Sequence, residues 1–91
     1  MGKSILVIDD SGTINSIIKS LLNEHGYTPY SASNGEDGIK LAHSKLPDLI
    51  ILDRHMEGMD GHQVLTKIKK DKQLGHIPVI MLTAEEIGRA H

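Results

Sequence analysis

The chain has 91 residues and a formal net charge of −2, with 10 Lys and Arg set against 12 Asp and Glu. That length holds one domain, and the mixed, nearly balanced charge excludes the basic footprint needed to grip a nucleic-acid backbone. The absence of cysteine excludes a disulfide framework and any thiolate metal site.

There is no Phe or Trp, and Tyr27 and Tyr30 are the only aromatics, so Ile, Leu and Val must build the core. No apolar run approaches the ~20 residues that span a bilayer, and the N-terminus runs into a strand pattern without signal-peptide architecture. A cytoplasmic chain with no membrane contact is the expectation.

The elements follow in order. Ile5-Leu6-Val7-Ile8 is a continuous apolar run ending in Asp9-Asp10. Ile14, Ile17, Ile18, Leu21 and Leu22 then fall on one helical stripe, stopped at Gly26. Thr28 to Ala32 reads as a weaker strand, and Pro29 places it at a sheet edge. Asn34 is a candidate N-cap for a helix carrying Ile39, Ala42 and Leu46, which ends at Pro47. Ile50-Ile51-Leu52 is a second buried run ending in Asp53. A third helix spans about Gly61 to Lys70. Val79-Ile80-Met81-Leu82 ends in Thr83. Consecutive apolar positions, as opposed to alternating ones, suit strands buried on both faces, so the pattern predicts an α/β parallel sheet.

Ligands of such sheets bind beyond the carboxyl ends of the strands. Asp9, Asp10, Asp53 and Thr83 all stand at those ends. Crowded carboxylates raise one another's pKa unless a cation relieves them, and a hard divalent ion such as Mg²⁺ suits an all-oxygen donor set. Taken singly, each has a plainer role: Asp10 or Ser11 as a helix cap, Asp53 as a turn residue, Thr83 bonded to backbone. The Lys67, Lys69, Lys70 and Lys72 run reads as a solvated helix face. His43, His55, His62 and His76 lack the i, i+4 spacing of a paired ligand site, and His55 alone draws interest through its nearness to Asp53.

From Lys3 to about Ala84 the sequence resembles the receiver domains of two-component response regulators. The resemblance rests on Ile5 to Asp10, Ser33-Asn34-Gly35-Glu36, Pro47 to Asp53, Met56 with Met59-Asp60-Gly61, and Pro78 to Ala84. It implies a flavodoxin-like doubly wound parallel sheet with strand order 2-1-3-4. It also implies that Asp53 accepts a phosphoryl group from a histidine kinase, making this a phosphoprotein of signal transduction more than a conventional enzyme. By the same resemblance Asp9, Asp10, Asp53 and the backbone carbonyl of His55 hold Mg²⁺. Thr83 would report the phosphoryl group, and Ala84 would leave room for it.

Glu57 stands where the family usually has Pro, and Gly38 where Ala is usual. The family ordinarily continues through a further helix, strand and helix and supplies a Lys to the site. Residues 1–91 therefore read as a receiver domain incomplete at its C-terminus, with Arg89 as the one late cation. The fourth strand is then expected to be an unpaired apolar edge and the chain a homo-oligomer through it. The alternative is a remnant or engineered fragment that binds or oligomerises without efficient phosphotransfer. An unrelated aspartyl-phosphate hydrolase is a third reading, disfavoured because no further catalytic motif follows Asp53.

Overall fold

The apolar runs form one four-stranded parallel sheet of order β2-β1-β3-β4. The strands are β1 (Ser4–Ile8), β2 (Thr28–Ala32), β3 (Leu49–Asp53) and β4 (Val79–Leu82). The helices α1 (Gly12–Glu24), α2 (Gly35–Lys45) and α3 (Gly61–Lys70) alternate with them. The structure, a computed structural model, describes residues 2–82, so Thr83, Ala84 and Arg89 lie outside the described residues. The neighbour order and the helix alternation are those of the flavodoxin-like layout.

Period two along β1 and β3 divides the sheet. Leu6, Ile8, Ile50 and Leu52 join Ala42 of α2, Val64 and Ile68 of α3, and Leu74 and Ile77 in one buried cluster. Ile5 and Val7 point to the opposite face and are also buried. There α1 packs against β1 and β2. The main core thus lies under α2 and α3, and α1 covers half of the second face.

That division corrects the expected stripe on α1. Its buried residue is Asn15, with Ile18 and Leu22 half-buried on the same flank, whereas Ile14, Ile17 and Leu21 are 39%, 51% and 50% exposed. The helix carries a broad apolar arc, but only the flank over β1 and β2 has something to pack on. Ile80 of β4 is 50% exposed for a related reason: among the described residues no helix lies over that part of the face.

Local chemistry sets the helix ends. Ser11, Asn34 and Asp60 each cap a helix by accepting a backbone N–H three residues on. At α3 the Gln63 side chain returns the bond to the Asp60 N–H, completing a capping box. Gly26, at φ +85°, follows the end of α1. At the end of α2 the left-handed position falls instead on Leu46, at φ 46° and ψ 63°. A Leu there costs roughly 1 kcal/mol that Gly would not incur, and its side chain is 53% exposed, so little packing is at stake. Leu46→Gly should raise stability by about 0.5–1 kcal/mol, read as a higher urea midpoint at unchanged slope. A lower midpoint would mean that the half-exposed side chain contributes more than the strain removes.

Gly38 departs from the usual Ala for a packing reason. A Cβ at that position would sit 2.5 Å from Cδ1 of the fully buried Ile8. Glycine lets α2 lie close on β1.

Candidate functional site

β1 and β3 are parallel neighbours with Ile8 level with Leu52. One residue further along, Asp9 and Asp53 therefore stand side by side at the carboxyl ends, and Asp10 begins the turn into α1. One carboxylate oxygen from each of Asp9, Asp10 and Asp53 lies within 4.8 Å of the others. Asp9 is only 7% exposed, Asp53 is half-buried and Asp10 is exposed. The cluster is thus rooted in the sheet and open to solvent on one side.

Backbone donors fix two of the carboxylates. Asp9 Oδ1 accepts from the Ser11 N–H at 2.9 Å, and Asp53 Oδ1 accepts from the His55 N–H at 3.2 Å. Burial is the main force raising the Asp9 pKa above its ordinary value; the Ser11 N–H opposes it, and the neighbouring charges of Asp53 and Asp10 add to it. These groups repel one another as they stand. Three oxygen ligands converging in this way fit a small hard divalent cation, which takes one or two protein carboxylates and keeps several waters.

The segment between β3 and α3 is held by backbone approach. Met56 is buried in the main core, and Gly58 turns the chain at φ +78°. The Gly61 N–H donates to the Arg54 carbonyl at 3.0 Å. A Cβ on Gly61 would meet the Asp53 carbonyl oxygen at 2.5 Å and Arg54 Cα at 2.7 Å. An open hollow of about 530 Å³ lies along this segment, lined by Arg54, His55, Met56, Glu57, Asp60 and His62. Glu57, which stands where the resembled family usually has Pro, is exposed and lines this hollow.

Of the residues singled out in the sequence, Asp9, Asp10 and Asp53 come together, and His55 adjoins them through its N–H. Thr83 and Ala84 lie outside the described residues. The histidines among the described residues are exposed, as expected of surface residues. His43 nevertheless ties α2 to the segment after α3. Its Nε2 pairs with Asp71 Oδ2 at 2.8 Å, and its Nδ1 meets Gln73 Oε1 at 2.9 Å. For Asp71, slight desolvation is outweighed by the N–H groups of Gln73 and Leu74 and by His43, which hold its pKa below the usual value.

Two features near the site are not expected from the sequence. Asn15 is the buried member of α1, and Gly61 touches the backbone of Asp53. Asn15 was hidden because the polar pair Asn15-Ser16 between Ile14 and Ile17 looks solvent-facing. The Met59-Asp60-Gly61 run was a signal for Gly61, but it does not reveal which backbone the glycine approaches.

Comparison with known proteins agrees with this layout. The family model of the response regulator receiver domain matches residues 5–89. The chain is 37% identical over 82 residues to Protein PilH of Pseudomonas aeruginosa, covering 90% of this chain and 68% of PilH. It is 39% identical over 82 residues to the probable transcriptional regulator ycf27 of Guillardia theta, of which it spans 31%. Among solved structures, the N-terminal domain of a response regulator receiver protein from Methanoculleus marisnigri superposes with a TM-score of 0.85 at 40% identity, covering 94% of this chain and 74% of that one. The signal receiver domain of a histidine kinase from Syntrophus aciditrophicus gives 0.85 at 34% identity, covering 97% of this chain and 70% of that one.

Proposed function

The chain belongs to the response regulator receiver domain family of two-component systems, and from that premise we propose that Asp53 accepts a phosphoryl group from a histidine kinase. The observation that carries the proposal is the convergence of Asp9, Asp10 and Asp53 within 4.8 Å at the ends of β1 and β3. An Asp53 carboxylate oxygen forms the new bond to phosphorus while the phosphorus–nitrogen bond of the donor breaks and the imidazole leaves. Asp10 and Asp53 would hold Mg²⁺ with Asp9 assisting, and the His55 carbonyl would complete the set. The ion supplies charge neutralisation for the in-line transfer. Asp9, anchored by the Ser11 N–H, keeps the acidic pair in place, and the His55 N–H orients the Asp53 carboxylate for attack.

Incubation with a small phosphodonor and Mg²⁺ should raise the intact mass by one phosphoryl group. An unchanged mass under conditions that label another receiver domain would favour the binding-module alternative.

Mg²⁺ titration should show one weak site that is lost in Asp10→Ala. Because the pKa of Asp9 is raised, the folded chain keeps a proton there over a window above the ordinary carboxylate value in which the unfolded chain has released it. Asp9 therefore adds stability as pH falls through its folded pKa and withdraws it as pH rises. Protons and the divalent ion compete for the same oxygens, so Mg²⁺ affinity should weaken as pH falls from neutrality through that window. Affinity that is independent of pH would place the ion away from Asp9.

Self-association is part of the same reading. β4 is paired on one side only among the described residues, Ile80 is half-exposed, and Ile14, Ile17 and Leu21 line the open flank of α1. At about 25 cal/mol per Å², covering a few hundred Å² of apolar surface is worth several kcal/mol. Light scattering over a dilution series of these 91 residues should show a dimer or larger species. A cooperative folded monomer at every concentration would remove this part of the proposal.

A further inference from the structure

We propose that Asn15 is a positioning residue for the acidic pair, acting through the peptide that joins Asp9 to Asp10; the inference rests on the phosphoacceptor reading above. Asn15 is only 7% exposed, and its Nδ2 donates to the Asp9 carbonyl at 2.8 Å and to the Ala32 carbonyl at 3.4 Å. The Asp9 carbonyl lies one residue beyond β1 and the Ala32 carbonyl ends β2, and the Asp9 N–H itself donates to the Ala32 carbonyl at 3.1 Å. One amide group thus ties α1 to the carboxyl ends of two neighbouring strands. The Asp9 carbonyl belongs to the peptide plane from which Asp10 departs. Fixing that plane fixes the direction in which the chain leaves β1, and with it the approach of the Asp10 carboxylate to those of Asp9 and Asp53.

The amide's orientation follows from its partners, since two carbonyl oxygens call for the NH₂ end. Its own oxygen is then left buried without a hydrogen-bond partner. A buried bare acceptor is a standing cost to the fold. An aliphatic residue facing the sheet would avoid it, as Ile18 and Leu22 do on the same flank of the helix. What Asn15 returns for that cost is its pair of donated bonds, one to the Asp9 carbonyl and one to the Ala32 carbonyl that also accepts from the Asp9 N–H.

The test uses Asn15→Leu, which keeps the branched side-chain skeleton and removes the donor, with the smaller Asn15→Ala as a second variant that adds no bulk. Native-state amide exchange is measured without metal at Asp9 and Ser11, whose N–H groups bond to Ala32 and to the Asp9 carboxylate, and at Ile50, whose N–H bonds to the Pro78 carbonyl. A positioning role predicts that Asp9 and Ser11 exchange about tenfold faster relative to Ile50, and that Mg²⁺ binds about tenfold more weakly to a chain that is still folded. A uniform loss of protection at all three sites, or parental Mg²⁺ affinity in a folded variant, would overturn the inference. So would failure of both variants to fold, since the amide would then hold the fold as a whole. If the parent chain itself binds no Mg²⁺ and takes no phosphoryl group, the phosphoacceptor reading fails, and the exchange ratio still decides whether Asn15 orders the Asp9–Asp10 turn.

Discussion

Asp53→Asn should stay folded and take up no phosphoryl group. The amide has nearly the shape of the carboxylate and its oxygen can still accept the His55 N–H, but it is not a nucleophile toward phosphorus. The expected result is therefore complete loss of the mass increase seen in the parent. A second readout separates loss of chemistry from loss of structure. Asp53 is one of the charges that push the Asp9 pKa upward, so removing it relieves repulsion at the ends of β1 and β3. In metal-free buffer the variant should melt at or above the parental temperature, and added Mg²⁺ should shift its melting less. An equal mass increase in the variant would move the acceptor to another side chain, with Asp9 and Asp10 the nearest candidates.

Gly61→Ala should be the most damaging single-methyl change near the site. The added Cβ would lie 2.5 Å from the Asp53 carbonyl oxygen and 2.7 Å from Arg54 Cα, both backbone atoms with no rotamer to yield. Arg54 is fixed on both sides, since its N–H donates to the Leu82 carbonyl and its own carbonyl accepts from the Gly61 N–H. Either α3 moves outward or the end of β3 shifts. Overpacking of this kind costs typically about 1–3 kcal/mol, which for a domain of this size corresponds to a fall of roughly 4–8 °C in Tm per kcal/mol. Phosphoryl uptake should fall as well, because the displaced backbone carries the acceptor. Gly38→Ala is the informative control. Its clash is with the side chain of Ile8, so trimming that residue in Ile8→Val with Gly38→Ala should recover part of the loss. No shortened neighbour can rescue Gly61→Ala. Parental stability in Gly61→Ala would show that the contact relaxes freely and that α3 does not brace the acceptor.

The bounds of α3 and β4 were legible because their caps, periodicity and apolar runs are local signals. So was the edge position of β2, since Pro29 cannot donate to a ladder. The neighbour order came from the family resemblance; periodicity says which residues face inward and not which strands touch. The arc of α1 misled for a physical reason. Five aliphatic residues define an apolar side, but which flank is buried depends on where the sheet ends beneath it, and Asn15 occupies the flank that is covered. The convergence of Asp9, Asp10 and Asp53 was readable as polar residues ending successive buried strands. The approach of Gly61 to Asp53 and the left-handed Leu46 were not readable, because both are set by tertiary geometry with no residue pattern of their own.

The two borders of the sheet are chemically unequal. The Thr28 N–H donates inward to the Lys3 carbonyl, so strand alternation turns the next nitrogen, that of Pro29, outward where a hydrogen is missing. The β2 border is therefore interrupted as a template for a further strand, while among the described residues the outward groups of β4, those of Val79 and Met81, keep both donor and acceptor. A particle with two sticky borders can stack without limit, as fibrils do. One with a single sticky border is used up by its first match. Strand-to-strand association of this protein through β4 should accordingly stop at two copies, a closed pair with no propagating end.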